Sequence, residues 1–521
     1  MQTSIRSPRW YLSGWAVTAA AFVLPLVGLI LLWMRPRPRV WLKLVATLGI
    51  AVIGVLHLVL FCGLRIELDG SGMRPIFSWK TAAADADRLE QHRAAQPAAQ
   101  PAASPAPAAP AASPVDQPGS AAPLAGAPPA VAFAPSGSTY WTDFRGPARD
   151  GRYDEQPVLA TWPAAGLTPL WKQPIGGGYA SFAVAEGRAF TIEQRRASEA
   201  VVAYDLRTGR ELWTSSWPGF FRETMGGDGP RATPTWHAGR VYALGAEGEL
   251  RCLEAATGAL VWRTNILAEH KAPNVTWAMS ASPLAVDGKI IVQPGGAGAS
   301  VVAYDAGSGK PVWQSQHDRQ AYTSPMAVTI SGERQLLVVS GVRVMGMTIA
   351  DGRVLWEFPW TTQFDANVAQ PVVLDGDRVF VSAGYDHGAV MLAVTRDGAT
   401  WHARELWQNK AMKNRFASSV VYGDSIFGFD EGILACVDAK TGERRWKGGR
   451  YGYGQLLLAG GNLIILAEDG GLALVRATPD RFDEISHSAA IEGKTWNVPS
   501  MSDGILLVRN AREMAAFRVA R

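Results

Sequence analysis

The side chains best suited to chemistry lie in seven short segments, each directly before a predicted strand. They combine charges, amides and aromatic rings, which the packing of a sheet does not require. The segments are GGDGPR (226–231), NVTW (274–277), AYTS (321–324), FDAN (364–367), KNRF (413–416), RYGYGQ (450–455) and TWN (495–497). The candidate site residues drawn from them are Arg231, Trp277, Tyr322, Asp365, Asn367, Lys413, Arg415, Tyr451, Tyr453, Gln455, Trp496 and Asn497.

These residue types favour a polar or anionic ligand. Arg231, Lys413 and Arg415 would make the site basic, and Trp277 and Trp496 would offer flat surfaces. A quinone, a glycan or a peptide carboxylate would each suit such a site. The alternative is that these residues only satisfy one another across a solvated funnel.

The segment RYGYGQ carries its own prediction. The two-residue period of a strand would place Tyr451, Tyr453 and Gln455 on one face. Gly452 and Gly454 would leave the other face bare, so that another backbone can approach closely.

Other kinds of site find no support in the sequence. It contains no HExxH motif, no nucleophile elbow and no phosphate-binding loop, and it lacks paired histidines and Cys-x-x-Cys. Cys252 and Cys436 occupy equivalent positions in different repeats, so we expect neither a disulfide nor a metal site; the third cysteine is Cys62. A net charge of +4 over 521 residues, with no basic stripe, argues against a nucleic-acid partner.

The candidate segments are spaced by an internal repeat. The phrase AYDLRTGRELW, which ends at Trp213, returns in versions that end at Trp262, Trp313, Trp356 and Trp446, with a degenerate copy ending at Trp407. A turn glycine precedes each closing strand, as the φ > 0 position of a short hairpin loop requires. Steps of about 40 to 50 residues are typical of propeller blades, and one tryptophan per unit predicts an indole between adjacent blades.

A second repeated phrase supplies the rest of each unit. Examples are ATPTWHAGRVYAL (232–244) and ASPLAVDGKIIV (281–292), which indicate two strands joined by a tight hairpin. The unit is therefore four short antiparallel strands, and the fold class is an all-β, eight-bladed propeller. Residues 496–520 lack a closing strand, whereas Leu170-Trp171 has no blade before it. We therefore expect residues 167–174 to complete the last blade and close the ring.

Two apolar runs precede the propeller. Residues 10–33 and 40–64 are each long enough to span a bilayer, and Pro25 is tolerable within such a helix. The segment RPRPRVWLK lies between them, and its cations predict a cytoplasmic loop with the propeller in the periplasm. The expected location is the bacterial inner membrane.

The predicted domains follow from these features. They are a two-helix membrane anchor (1–64), a juxtamembrane collar (65–93) with a small hairpin, an Ala/Pro-rich linker (94–139) and the propeller (140–521). The linker composition is too poor in large apolar residues to bury a core, so we expect disorder there.

The repeats resemble those of pyrroloquinoline-quinone (PQQ) dehydrogenase-type propellers and of the propeller lipoprotein of the outer-membrane barrel-assembly machinery. WTDFRGPARDGR, KTWNVP and residues 414–455 are similar to a bacterial family of membrane-anchored PQQ-like propellers. The resemblance implies the fold over nearly all of 140–521. It does not decide activity, because catalytic and non-catalytic proteins share the repeat.

Two functions are consistent with this resemblance. The first is a periplasmic binding or scaffolding module with a protein or glycan partner. The alternative is a PQQ-dependent dehydrogenase that oxidises an alcohol or sugar and passes electrons to membrane quinone. Such an enzyme would need a quinone stacked on tryptophan and Ca²⁺ held by Glu, Asn and Asp side chains. No such calcium set can be placed on this sequence, and the vicinal cysteine pair found in many relatives is absent.

Overall fold

The computed structural model describes residues 10–36, 39–61, 65–68, 75–78, 82–96, 139–223, 225–375 and 377–521. The described chain forms two compact units, an N-terminal unit that ends at Arg88 and a unit from Leu89 onward that contains the propeller. A short loop, Glu223–Gly227, groups with the first unit. Most of the predicted linker, residues 97–138, lies outside the described residues, as does Cys62.

The N-terminal unit is helical. A 3₁₀ turn (Trp10–Leu12) precedes α1 (Gly14–Val23), α2 (Pro25–Met34) and α3 (Val40–Phe61), and the hairpin predicted in the collar is present as β1 (Arg65–Leu68) and β2 (Pro75–Ser78). The helix α4 (Ala82–Ala95), which we did not predict, follows. Its second half lies in the propeller unit, where Arg93 forms an ion pair with Glu211 at 2.8 Å.

The structure does not confirm the first predicted membrane span. Its apolar run is divided at Leu24, whose φ of −136° and ψ of 84° are not helical. Pro25 causes the break, because it lacks an N–H donor and disfavours helical backbone in the preceding residue. Each ten-residue half is about 15 Å long, half of the hydrocarbon core. Among the described helices, only α3 is long and apolar enough to cross a bilayer.

The propeller has eight four-stranded antiparallel blades, as predicted. Two strands of the propeller come before blade 1 in the sequence, β3 (Arg152–Tyr153) and β4 (Pro169–Pro174). Blades 1 to 4 are β5–β8 (Ala183–Ala185, Arg188–Arg195, Ser198–Asp205, Glu211–Pro218), β9–β12 (Thr235–His237, Arg240–Leu244, Glu249–Glu254, Leu260–Asn265), β13–β16 (Leu284–Val286, Lys289–Val292, Val301–Asp305, Pro311–Ser315) and β17–β20 (Met326–Ile330, Glu333–Val339, Arg343–Met347, Val354–Pro359). Blades 5 to 8 are β21–β24 (Val372–Leu374, Arg378–Ala383, Gly388–Asp397, Thr400–Asn409), β25–β28 (Val420–Tyr422, Ser425–Asp430, Ile433–Asp438, Arg444–Arg450), β29–β32 (Gln455–Ala459, Asn462–Leu466, Gly471–Arg476, Glu484–Ala489) and β33–β35 (Ser500–Ser502, Ile505–Arg509, Glu513–Arg518). A short helix, α5 (Ile266–Glu269), follows blade 2, and a 3₁₀ turn (Gln363–Asp365) follows blade 4.

The ring closes as the sequence predicts. The strand β4 is the fourth strand of blade 8, where Trp171 lies opposite Ala516 and Pro169 opposite Phe517. The earlier strand β3 adds a parallel edge to blade 7. Blade 8 therefore has strands from both ends of the propeller sequence, and β4 pairs the edge of β35 that would otherwise be open.

The repeated tryptophan joins six of the eight blades to the next one. The indole of Trp213 donates to the carbonyl oxygen of Ala255 at 3.0 Å, and a Cβ on Gly258 would lie 2.5 Å from that ring. The same donor bond to the next blade is made by Trp171, Trp262, Trp313, Trp407 and Trp446. Trp356 differs and donates to Gln335 within its own blade. The turn glycine is thus required twice, for its positive φ and for the space that the indole occupies.

A belt of small polar side chains links the starts of the inner strands. The backbone N–H of Ser181 donates to Thr233, that of Thr233 to Ser282, and that of Ser282 to Ser324, at 2.9 to 3.0 Å. The chain of bonds continues through Gln370 to Ser418, and on the other side Ser500 of blade 8 donates to the carbonyl of Phe182 of blade 1. These residues are buried, so the belt satisfies backbone donors that the sheets leave unpaired.

Cys252 and Cys436 are both free and buried, in separate hydrophobic clusters. They therefore pack in different blade cores, in agreement with their equivalent positions in different repeats.

Candidate functional site

Eight loops converge on one end of the propeller channel. Because successive strands alternate in direction, the loops that lead into the inner strands all lie at the same end, which we call the mouth. Each loop carries at least one aromatic or cationic side chain into a connected set that we call the rim ring. Its members are Tyr179, Phe221, Arg231, Trp277, Tyr322, Phe364, Arg415, Phe416, Tyr453, Lys494 and Trp496 from the loops, with Tyr385 from a hairpin turn of blade 5.

One aromatic cluster of the rim ring joins blades 1, 6, 7 and 8. The ring centroids of Trp496 and Phe416 are 4.6 Å apart, those of Phe416 and Tyr453 5.3 Å, and those of Trp496 and Tyr179 5.7 Å. Lys494 lies 4.3 Å from the centroid of Trp496, close enough for a cation–π contact. The cluster therefore presents aromatic surface beside positive charge.

A second cluster joins blades 3, 4 and 5. Trp277 packs on Tyr322 at 5.6 Å and edge-on against Phe364 at 6.4 Å, and Phe364 meets Tyr385 at 5.9 Å. Burial raises the pKa of Tyr322 to about 12, so it stays protonated at neutral pH. Phe364 is 63% exposed and has a φ of 63°, a left-handed conformation that is costly for a bulky residue. Strained backbone thus presents a large apolar side chain to solvent, a combination that clusters at functional sites.

Arg415 connects the two clusters. Its guanidinium lies 4.2 Å from the ring of Tyr385 and 5.0 Å from that of Tyr453, whose hydroxyl it also reaches at 2.8 Å. Burial acts to lower the pKa of Arg415, but hydrogen bonds with Tyr385 and Tyr453 outweigh it and raise that pKa, so the group is always a cation. In the entry loop of blade 2, the guanidinium of Arg231 lies 4.9 Å from the ring centroid of Phe221 and 5.6 Å from that of Tyr179.

Two carboxylates hold the first cluster in place. Glu468 accepts from the indole of Trp496 at 2.8 Å and from the backbone N–H of Tyr453 at 3.2 Å. Glu431 accepts from the hydroxyl of Tyr453 at 3.2 Å and lies 3.9 Å from Arg415. The orientation of the rings is therefore fixed by hydrogen bonds as well as by packing.

The structure brings half of the sequence-predicted residues together in the rim ring: Arg231, Trp277, Tyr322, Arg415, Tyr453 and Trp496. Three others, Asn367, Gln455 and Asn497, are buried beneath it, and their amide groups donate to backbone carbonyls of neighbouring loops. These three position the loops rather than face the mouth.

The remaining predicted residues lie elsewhere. Tyr451 packs between blades 6 and 7, where its hydroxyl donates to Glu484. The prediction that it shares a face with Tyr453 is wrong, because residues 451–454 are not a strand and Gly452 turns the chain with a φ of 60°. Asp365 pairs with Arg319 at 3.0 Å.

Lys413 also lies outside the rim ring. Its Nζ is 3.6 Å from a carboxylate oxygen of Asp386 and 3.5 Å from one of Asp430. It therefore belongs to a charge cluster beside the rim ring, two residues along the loop from Arg415.

Sequence reasoning missed several members of the rim ring. Phe364 and Phe416 stand inside segments that were singled out, so their aromatic character was a usable signal. Tyr385 lies in a turn between two strands of one blade, outside the segments that lead into the inner strands. No repeat pattern indicates its contact with Arg415.

Residues 141–153 pack against the inner strands toward the opposite end of the channel. Arg149, 1% exposed, donates to Asp143 at 2.9 Å and to the carbonyls of Ser282, Pro283 and Pro325 on blades 3 and 4. The same segment reaches blade 6 through Arg145, which donates to the carbonyl of Ser419 at 3.0 Å. We call this segment the plug.

The site does not fit a calcium-bound quinone. Across the ranges that the structure describes, no group of three His, Cys, Asp or Glu side chains could hold a metal ion. The acidic groups at the rim ring, Glu431 and Glu468, are engaged with Arg415, Tyr453 and Trp496.

Comparison with known proteins agrees with the fold and the repeats. Residues 197–448 match the family model described as outer membrane protein assembly factor BamB. BamB of Burkholderia pseudomallei is 24% identical over 399 residues, which cover 68% of this chain and 97% of that protein. Quinohemoprotein alcohol dehydrogenase ADH-IIG of Pseudomonas putida is 27% identical over 256 residues, but these cover 47% of this chain and only 29% of the enzyme. The solved structure of ADH-IIG from P. putida HK5 aligns with a TM-score of 0.51 at 12% identity, over 73% of this chain and 80% of that one.

The resemblance predicted from the sequence is thereby confirmed. The propeller is of the PQQ-like repeat type that BamB and the quinoprotein dehydrogenases share.

Proposed function

We propose that this chain is a binding and scaffolding module of the bacterial envelope, which holds a protein partner at the rim ring. The observation that carries the proposal is the convergence of side chains from all eight entry loops on one mouth. Aromatic and arginine side chains dominate the binding energy of protein interfaces, and Phe364 is already exposed to contact a partner. The match to BamB supports an assembly role, since it spans nearly the whole of a protein named as an assembly factor.

A protein segment suits the rim ring better than a small ligand does. The cations lie over aromatic faces, as Arg231 lies over Phe221 and Lys494 over Trp496. Those faces are not bare stacking platforms for a planar cofactor. The rings and cations instead combine apolar and charged character at one place, which is typical of protein interfaces.

We also propose that the propeller lies in the periplasm and is anchored by α3. The three arginines of RPRPRVWLK directly precede this helix, and the positive-inside rule favours that side for the cytoplasm. The propeller lies on the other side of α3 whether or not residues 10–33 also cross. A cytoplasm-specific reporter fused after Arg521 should therefore be silent, and strong activity would reverse the topology.

Site-specific photocrosslinking tests the binding role. A photoreactive phenylalanine analogue at Phe364 in the full chain should give protein adducts in cells. The matched control is Tyr422, which is 44% exposed on blade 6 away from the mouth and should give none. Adducts at Phe364 should disappear when Arg415→Gln is added. Adducts of equal yield at both positions, or none at Phe364, would contradict the proposal.

The match to ADH-IIG favours a PQQ-dependent dehydrogenase as the second candidate. Titration of the purified full chain with PQQ and Ca²⁺, followed by dye reduction with alcohols and sugars, separates the two. Tight binding with turnover would replace the scaffolding role.

A further inference from the structure

A compact group of cations surrounds one buried carboxylate beside the mouth. Asp430 is 1% exposed, and it receives Lys447 at 2.6 Å, Arg444 at 2.7 Å and Lys413 at 3.5 Å. We call these three cations, together with Lys410, the blade 6 basic cluster. Taking Asp430 out of water is compensated only by close partners, so the carboxylate fixes these cations in position.

The cluster keeps an excess of positive charge. Its second carboxylate is Asp386, which is paired with Lys410 at 2.6 Å and with Lys413 at 3.6 Å. Four cations thus face two carboxylates. Hydrogen bonding and charge from Lys410 lower the pKa of Asp386, so it stays ionised at neutral pH and limits the local positive charge.

The cluster is continuous with the rim ring. Lys410 and Lys413 lie on the loop that also delivers Arg415 and Phe416 to the mouth. A segment bound at the rim ring and leaving over blade 6 would therefore meet positive charge immediately.

We infer that the partner held at the rim ring is an acidic protein segment, whose carboxylates contact the blade 6 basic cluster while its apolar side chains contact the aromatic rings. This inference rests on the proposed function and specifies its partner. Charge complementarity of this kind selects partners and speeds their encounter.

Two exposed residues allow tests of opposite sign with little effect on folding. The side chain of Lys410 is 60% exposed and that of Asp386 70% exposed. Lys410→Glu should weaken binding of an acidic partner, whereas Asp386→Asn should strengthen it, each by about two- to fivefold. Lys310→Glu, at an exposed turn of blade 3, is the matched charge reversal and should change nothing.

The probe is a short fluorescein-labelled peptide of alternating tryptophan and aspartate, and its counterpart has asparagine in place of aspartate. Fluorescence anisotropy with the full chain in detergent should show tighter binding of the acidic peptide at low salt, with the ranking Asp386→Asn, wild type, Lys410→Glu. That preference should vanish at high salt, because salt screens exposed charges.

Equal affinity for both peptides, or an unchanged affinity of Lys410→Glu, would overturn the inference. So would binding of phosphatidylglycerol vesicles in place of the peptide, with the same ranking of variants. The variant Phe416→Ala separates the two proposals. If it loses peptide binding while the charge variants do not change it, the proposed function stands and the acidic partner fails. If it binds as well as wild type does, the proposed function fails.

Discussion

The two ends of the propeller channel use arginine in opposite ways. At the plug, Arg149 is buried and its donors are directed at backbone carbonyls and Asp143. At the mouth, Arg415 is partly exposed and lies against three aromatic rings, with a tyrosine hydroxyl as its hydrogen-bond acceptor. The plug arginine satisfies groups that the ring must bury, whereas the mouth arginine connects the aromatic side chains of the rim ring.

The difference separates stability from binding. Substitutions in the plug should lower the stability of the fold strongly and leave partner binding unchanged. Substitutions at the mouth should change stability little and weaken partner binding. Each of the following changes tests one side of that division, beginning with the largest expected effect.

Arg149→Met should destabilise the propeller by about 3 to 5 kcal/mol, because it leaves a carboxylate and several buried carbonyls without a donor. Urea unfolding of the full chain measures this effect. Arg152→Gln on the same segment removes an exposed side chain and should cost less than about 0.5 kcal/mol. Equal losses for the two variants would show that the plug is not held by Arg149.

Glu199 should make the mouth end sensitive to pH. Burial raises its pKa to about 7 from an ordinary value of 4.5, and its carboxylate accepts from the backbone of Ala246 on blade 2. Because the folded state holds this proton more tightly than the unfolded state, its contribution to stability is complete below about pH 4.5 and is lost as the pH rises through 7.

Between pH 5 and 8 the wild type should therefore lose on the order of 2 kcal/mol of unfolding free energy through this group, and Glu199→Gln should not show that loss. Thermal melts across that range provide the measurement, with the exposed Glu247→Gln as a control. A slope that persists in Glu199→Gln would assign the dependence to another group.

Arg415→Gln should cost at most about 1 kcal/mol, the scale of a partly exposed cation–π contact. It should nevertheless abolish crosslinking at Phe364, since the two aromatic clusters lose their connection. A loss of stability as large as that of Arg149→Met would show that the two channel ends do not differ in how their arginines contribute to stability.

Phe364→Asn should leave stability unchanged or raise it by a few tenths of a kcal/mol, because Asn accepts a left-handed backbone more readily. Partner binding should fall at the same time. Urea unfolding and anisotropy on one preparation give both values, and a destabilised Phe364→Asn would mean that the ring is needed for packing.

Periodic features of this fold were predictable and single contacts were not. The Trp-to-Trp spacing predicted the blades because it repeats. The unpaired Leu170-Trp171 predicted the ring closure because it completes the pattern of the last blade. The helix α4 was missed although its Ala, Leu, Glu and Arg residues are good helix formers, since the segment is short and lacks an apolar face.

The candidate site followed the same rule. Loop position identified where side chains converge, but it could not say which of them face the mouth. The positive φ of Gly452 turns the chain between Tyr451 and Tyr453, so they do not share a face. Lys413 pairs with the carboxylate of Asp430 on a neighbouring strand. Both outcomes depend on local backbone geometry and on three-dimensional neighbours that a linear pattern does not encode.

The pairing of β4 with β35 also sets an order of events during biogenesis. Pro169 is synthesised early, yet its partner Phe517 lies almost at the carboxyl end of the chain. Blade 8 therefore cannot form until Phe517 has been synthesised, and the ring of the other blades stays open until then. Contacts of such long sequence separation are slow to form and leave strand edges vulnerable meanwhile. Chaperones that protect unpaired strands would act on this protein for the whole interval, and the appearance of a protease-resistant ring would mark its end.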